Sequence, residues 1–249
     1  MSDYQEIYAQ HADRYDQLVS REDYRGHILP ALQEIRPLEG LTVVELGAGT
    51  GRLSCLLAPL VAHLHLLDAS QHMLDFAADK LARKKLDNWQ VQVADNRCLP
   101  VEDHIADLAI SGWSLGYLVG EHPESWREEL GKALREIQRV LRPGGTIVIL
   151  ETLGTGHETP HPPTEALAAY YGFLEETGFR STWIRTDYQF ESLAEAESLI
   201  RFFFGDELAR TLGQQCAAVV ENEWVILPEC TGIWWLDIDE TSRRRRQDP

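Results

Sequence analysis

The stretch Leu41-Thr42-Val43-Val44-Glu45-Leu46-Gly47-Ala48-Gly49-Thr50-Gly51-Arg52 decides the fold of this 249-residue chain. Its short apolar run closes on glycines, the pattern of a strand buried on both faces of a parallel sheet. Glycine lets the backbone turn sharply and approach a ligand with no Cβ in the way. Thr50 to Leu60 then reads as a helix stopped near Pro59. Nucleotide sites and plain structural turns both use such a glycine turn, so two details carry the reading. The dinucleotide pattern G-x-G-x-x-G requires a small residue where this chain has Arg52, because helix and strand pack closely there around a pyrophosphate. Glu45, a carboxylate just ahead of the glycines, suits a cationic ligand and sits poorly beside a pyrophosphate.

The alternation continues outward from this point. His63 to Leu67 reads as a second strand ended by Asp68, and Ser70 as the N-cap of a helix to about Lys84. Gln90 to Ala94 and Ala106 to Ser111 read as the third and fourth strands. A helix over Ser125 to Leu141 leads into the turn Arg142-Pro143-Gly144-Gly145, followed by a fifth strand, Thr146 to Glu151. Strands alternating with helices predict βαβ units and a parallel sheet covered on both faces. Upstream, residues 2–35 read as two helices. Downstream, Thr155 to Pro163 is loop-like, Thr164 to Thr177 helical, Arg180 to Phe190 strand-like and Ser192 to Cys216 helical. Glu223 to Ile238 reads as a last strand, bent at Pro228 and Gly232. Residues 241–249, with Arg243 to Arg246, form a charged tail expected to be flexible. No repeat or linker interrupts residues 1–240, which are read as one domain: helices over 1–38, a core over 39–153, and further helices and strands over 154–240.

The balance of 23 basic against 40 acidic residues, a formal charge of −17, opposes phosphate backbones and anionic membranes, so neither is expected as a partner. No apolar run approaches the roughly 18 residues that span a bilayer, and the polar start lacks a secretion signal. Cys55, Cys98, Cys216 and Cys230 show no paired or metal-ligand spacing, so no metal is expected and the cytoplasm is the expected compartment.

Asp68 lies about 20 residues past the first strand, where doubly wound folds hydrogen-bond a ribose diol; on its own it would also serve as a turn or capping residue. Asp95, closing the third strand, can accept from an adenine amino group, with Asn96 supplying neighbouring polar contacts; a solvated loop is the alternative.

Together these residues resemble a known family. Val44 to Gly51 is similar to motif I of class I S-adenosylmethionine-dependent methyltransferases. Asp68, Ala94-Asp95 and Leu141 to Thr146 fall where that superfamily places its later motifs. The chain most resembles the type 11 small-molecule branch, akin to quinone-biosynthesis methyltransferases, well over residues 40–152 and loosely elsewhere. The resemblance implies a doubly wound, mostly parallel seven-stranded α/β sheet of Rossmann-like methyltransferase fold. Its last strand would run antiparallel, with N-terminal lid helices and a helical insert before that strand. It also implies S-adenosyl-L-methionine as cofactor. Gly47, Ala48, Gly49 and Gly51 would line its methionine and ribose, Asp68 would hold the ribose and Asp95 the adenine. Glu45 would stand near the methionine ammonium. Ala69 and Met73 would pack on adenine or ribose, although Met73 is equally readable as helix core.

Ligands of open α/β sheets bind outside the carboxyl ends of the strands, at the switch in strand order. Ser111-Gly112-Trp113-Ser114-Leu115-Gly116-Tyr117 and Glu151-Thr152 stand at those ends. Ser111 and Gly112 are assigned to the cofactor, and Trp113 and Tyr117 form a wall for the sulfonium and acceptor, or cap the core. The lid makes Tyr15 a contact of cofactor and acceptor, and His11 a possible reacting side chain. Trp113, Tyr15 and His11 are thus the candidate catalytic residues. Strand four lacks the Asn-Pro-Pro-Tyr that base-modifying enzymes use. In-line methyl transfer to a small-molecule acceptor is the expected reaction. The alternatives are aminopropyl transfer from decarboxylated cofactor and a non-catalytic cofactor-binding module. Acceptor and oligomeric state are not readable from the sequence.

Overall fold

The computed structural model describes residues 4–215, 219–221 and 224–239. Cys216, Glu223 and the charged tail at 241–249 lie outside the described residues. In chain order the elements are α1 (Tyr4–Gln10), α2 (Ala12–Val19), α3 (Ile28–Ile35), β1 (Thr42–Leu46), α4 (Ser54–Leu57), β2 (His63–Asp68), α5 (Gln71–Arg83), β3 (Trp89–Val93) and β4 (Ala106–Gly112). There follow α6 (Tyr117–Glu121), α7 (Trp126–Val140), β5 (Leu141–Thr155), α8 (Glu165–Glu176), β6 (Arg180–Arg185), β7 (Tyr188–Phe190), α9 (Leu193–Phe204), α10 (Asp206–Gln215), β8 (Val219–Glu221), β9 (Trp224–Leu227) and β10 (Glu229–Asp237).

Seven strands form one sheet in the order β3-β2-β1-β4-β5-β10-β6. The first five are parallel, and β10 runs antiparallel to both neighbours. Register alternation explains the unbroken apolar runs. Val43, Leu66, Ile110 and Leu150 face one core, under α3, α4 and α5; Val44, Leu67, Ala109 and Ile149 face another, under α6, α7 and α8. Strand order reverses between β1 and β4, so the connections leaving their carboxyl ends diverge and open a crevice.

Helix positions follow from apolar spacing and caps. Trp126, Leu130, Ala133, Ile137 and Val140 make the buried stripe of α7. Ser70, Thr164 and Ser192 cap α5, α8 and α9 by accepting the backbone N–H three residues on. Asp23 serves α3 the same way, taking the N–H groups of His27 and Ile28.

Four sequence-based boundaries are corrected. The leading segment forms three helices, not two, with a break at His11 (φ −128°, ψ 35°) and a loop over residues 20–27. The helix expected over Thr50 to Leu60 shrinks to α4, since positive φ at Gly49 and Gly51 carries the chain through turns first. Arg180 to Phe190 is two strands in two sheets, because Thr186 and Asp187 turn the chain out of the main sheet to bond β10. Glu223 to Ile238 likewise divides at Pro228, which lacks an N–H to donate. The insert before the last strand is therefore α9 and α10, parted at Gly205 (φ 90°), plus a small antiparallel sheet of β7, β9 and β8. Tyr188, Phe190, Leu199 and Leu227 build a third core there, and Leu18 of α2 joins it. Helices α1 and α2 thus rest on α5 and α9, over the carboxyl ends of the strands.

Candidate functional site

The site begins with the turn after β1. Gly47, Gly49 and Gly51 have φ of 65°, 54° and 81°, a region that costs side-chain-bearing residues strain. At Gly47 space forbids a side chain as well, since a Cβ there would stand 2.1 Å from Ser114 Oγ. This turn carries the Gly49 N–H to Asp68 Oδ2 (2.9 Å), while Ser70 N–H donates to Oδ1 (2.8 Å). Burial pushes the Asp68 carboxyl up, and these two donors oppose the shift. Each carboxylate oxygen retains a second lone pair for a ligand hydroxyl.

Glu45 is buried beneath the turn and accepts from Ser54 Oγ at 2.6 Å. Its burial pushes it up to about 8 against that bond. Met73 is fully buried in the first turn of α5, Ala48 is buried, and Ala69 is exposed. Asn96 donates to Ser114 Oγ (2.9 Å), tying the loop after β3 to the loop after β4. Asp95 is bound by Arg97 through Nε (2.8 Å), Nη2 (2.5 Å) and backbone N–H (2.8 Å), bonds that hold its carboxyl below the usual range. Arg97 also donates to Glu129 (2.7 Å). Any adenine contact by Asp95 therefore has to share its oxygens with Arg97.

Ser111 is buried, its Oγ without a hydrogen-bond partner among the described residues. A Cβ at Gly112 would stand 2.6 Å from Leu53 Cδ1. Trp113 adopts φ 51° and donates its N–H to Leu150 O (2.7 Å); left-handed backbone on a bulky residue costs about 1–3 kcal/mol and concentrates at functional sites. The Arg52 guanidinium lies 3.4 Å over the Trp113 ring and pairs with Glu22, whose side chain is 4% exposed. The cation on this face of Trp113 is thus one of the protein's own, which leaves the opposite face for the expected wall.

Tyr15 stands over the glycine turn, its Cε1 3.8 Å from the position of a Cβ on Gly49. Burial pushes its phenol up to about 12. Tyr8 meets Tyr15 edge-on (5.4 Å) and shares a hydroxyl hydrogen bond with Tyr117; Phe203 closes the group against Tyr15 (5.4 Å) and Tyr4 (5.2 Å). This aromatic roof joins α1, α2, α6 and α9. Two histidines lie apart from it. His11 is exposed and touches Phe202 edge-on (6.1 Å), and His157 stacks on His161 (4.1 Å). Glu151, within β5, is buried, accepts from Gly116 N–H (2.8 Å) and is pushed by burial up to about 8.

Sequence reasoning missed three groups. Glu22 pairs with a residue 30 positions away, which no local pattern shows. Glu229 was legible as an acid opening the uncharged run Cys230 to Leu236. Tyr188 was hidden inside a strand read as continuous.

Residues 44–149 match the family described as "Methyltransferase domain", type 11. That stretch is thus similar to a methyltransferase domain of this kind. The seven-stranded sheet around it has the arrangement of the solved structures it resembles. The chain is 32% identical over 139 residues to the demethylmenaquinone methyltransferase of Clavibacter sepedonicus, covering 56% of this chain and 52% of that protein. To the malonyl-[acyl-carrier protein] O-methyltransferase of Yersinia pestis it is 31% identical over 151 residues, 58% and 48% of the two chains. The chain spans about half the length of these curated relatives. Among solved structures, an Aquifex aeolicus SAM-dependent methyltransferase superposes with TM-score 0.53 at 16% identity, over 94% of this chain and 93% of that one. That likeness extends the match in fold past residue 149.

Among the described residues no helix is long and apolar enough to cross a membrane, and no group of three or more metal-ligating side chains occurs.

Proposed function

We propose that this protein binds S-adenosylmethionine at the carboxyl ends of β1, β2 and β3 and passes its methyl group to a small-molecule acceptor under the aromatic roof. One observation carries the reading: a left-handed turn with no room for a side chain at Gly47 delivers the Gly49 N–H to Asp68, with Tyr15 directly above. Gly47, Ala48, Gly49 and Gly51 then line methionine and ribose, with Asp68 on the ribose hydroxyls. Glu45 faces the methionine ammonium through Ser54, Asp95 and Asn96 flank the adenine with Ala69 and Met73, and Ser111 and Gly112 close the crevice. A cofactor of this type supplies a methyl already activated on a sulfonium. The protein's part is chiefly alignment, and positioning can supply roughly 7–11 kcal/mol. Tyr15 and Trp113 set the direction of approach. Exposed His11 is a weak candidate for proton transfer; buried Glu151, whose proton leaves near neutral pH, is the better placed acid–base group.

The relatives' printed names are methyltransferases, which supports methyl transfer over aminopropyl transfer or a non-catalytic role. Free thiols at Cys55, Cys98 and Cys230 support a reducing compartment, the cytoplasm. Calorimetry tests the reading. S-adenosylhomocysteine should bind, with NAD and ATP at least tenfold weaker, and labelled methyl should reach a member of a small-metabolite panel. Tighter binding of NAD would overturn it.

A further inference from the structure

Beside the roof, on the α4 face of the sheet, two carboxylates are buried without enough partners. Glu229 is 2% exposed; its Oε1 accepts from Thr152 Oγ1 (2.8 Å), and its Oε2 has no hydrogen-bond partner among the described residues. Glu22 gives one oxygen to Arg52 and also interacts with the Tyr188 hydroxyl, and its Oε1 has no partner in hydrogen-bond geometry among the described residues. A buried carboxylate oxygen lacking a partner carries a large desolvation cost, so such an atom in a formed site marks the place of a ligand donor. The two acids lie close enough that the charge of Glu22 pushes the Glu229 carboxyl up, after burial, to about 8.

Charge accounting specifies the donor. Of the cations nearby, Arg52 is committed to Glu22 and Trp113, and Arg185 to Asp187 (2.7 Å). Glu229 faces Glu22, Tyr188 and Arg52 and has no cation of its own. Its backbone is fixed by Asp187, which accepts the Glu229 N–H (2.9 Å), and by Thr186, which donates to its carbonyl (2.9 Å). The carboxylate is therefore held, not floppy. Thr152, which grips it, follows Glu151 in β5 and so faces the other side of the sheet, the side that carries Leu150 and Trp113. We infer that Glu229 and Glu22 form a subsite for a protonated amine on the methyl acceptor. The inference rests on the methyl-transfer reading above.

The test uses the full chain. S-adenosylhomocysteine is titrated first. The loaded protein is then titrated with n-butylamine, benzylamine and spermidine against neutral counterparts, n-butanol, benzyl alcohol and 1,8-octanediol. At least one amine should bind tenfold or more tighter than its counterpart, and Glu229→Gln should erase that preference while S-adenosylhomocysteine affinity stays within twofold. Should the glutamine variant not fold, Glu229→Asp decides: it keeps the charge but shortens its reach, so the amine preference should weaken while S-adenosylhomocysteine affinity is kept, and an unchanged preference would overturn the subsite. No amine preference, or a preference that survives Glu229→Gln, overturns the subsite. A tenfold loss of S-adenosylhomocysteine binding in Glu229→Gln would assign the cation to the cofactor's own ammonium and overturn it equally. Failure of the wild type to bind S-adenosylhomocysteine, seen before any amine is added, would overturn the methyl-transfer reading instead.

Discussion

Asp68 does two things at once: it braces the glycine turn through Gly49 and the start of α5 through Ser70. Asp68→Ala removes charged acceptors worth about 1.5–3 kcal/mol per hydrogen bond, so S-adenosylhomocysteine affinity should fall at least tenfold by calorimetry. Asp68→Asn, keeping one acceptor oxygen, should fall between the two. At Trp113 the ring supports Arg52, and the residue holds an unfavourable φ. Trp113→Ala should therefore slow turnover of an identified acceptor more than His11→Ala or His157→Ala, whose side chains are exposed. A histidine variant that abolished turnover with cofactor binding intact would reverse this ranking. Glu45, the glycines and Asp68 were recognisable because their spacing is local to one βα unit. Asp95 was recognisable only in part, since Arg97, two positions on, binds it whether or not a ligand comes.

Among the elements, α1 and α2 are the ones set to respond to a ligand. Their hold on the rest includes Ser70 Oγ donating to Tyr8 O (2.8 Å), Lys80 to Asp16 (2.7 Å) and the aromatic roof. These are few and partly exposed contacts, the kind that open readily. Hydrogen exchange over residues 4–24 should slow on adding S-adenosylhomocysteine, while β1 and β4 stay protected throughout. Equal exchange in both states would make these helices fixed scaffold. The central strands β1, β4 and β5 could be read from the sequence because apolar runs have one meaning in a sheet buried on both faces, and edge strand β3 because its glutamines alternate with apolar residues. The later ones could not. Period-two alternation does not say which sheet a strand joins, and Arg180 to Phe190 changes sheets at Thr186-Asp187, a polar pair buried by its bonds to β10.

At the scale of the whole molecule, three buried acids set the response to pH. Glu45, Glu151 and Glu229 each titrate near 8 when folded, against an ordinary value of 4.5. The folded state therefore holds protons that the unfolded chain has released. Their contribution to stability is complete below about 4.5 and is lost as pH rises toward 8. His65, held neutral by burial down to about 4, acts oppositely, but its effect is finished by pH 6.5. Between pH 6.5 and 8 the melting temperature should fall, and Glu229→Gln should flatten that slope by about a third. A flat wild-type profile in this window would mean these acids are ionised in the fold. Strand β10 has a consequence of another kind. It lies between β5 and β6, so β6 has no neighbour in the main sheet until β10 is in place. During synthesis β10 emerges after every other described strand. Until then the sheet ends at β5, and Glu229 arrives with the strand that extends it. The glycine turn is complete within the first third of the chain, whereas the pairing of Glu22 with Glu229 waits for β10.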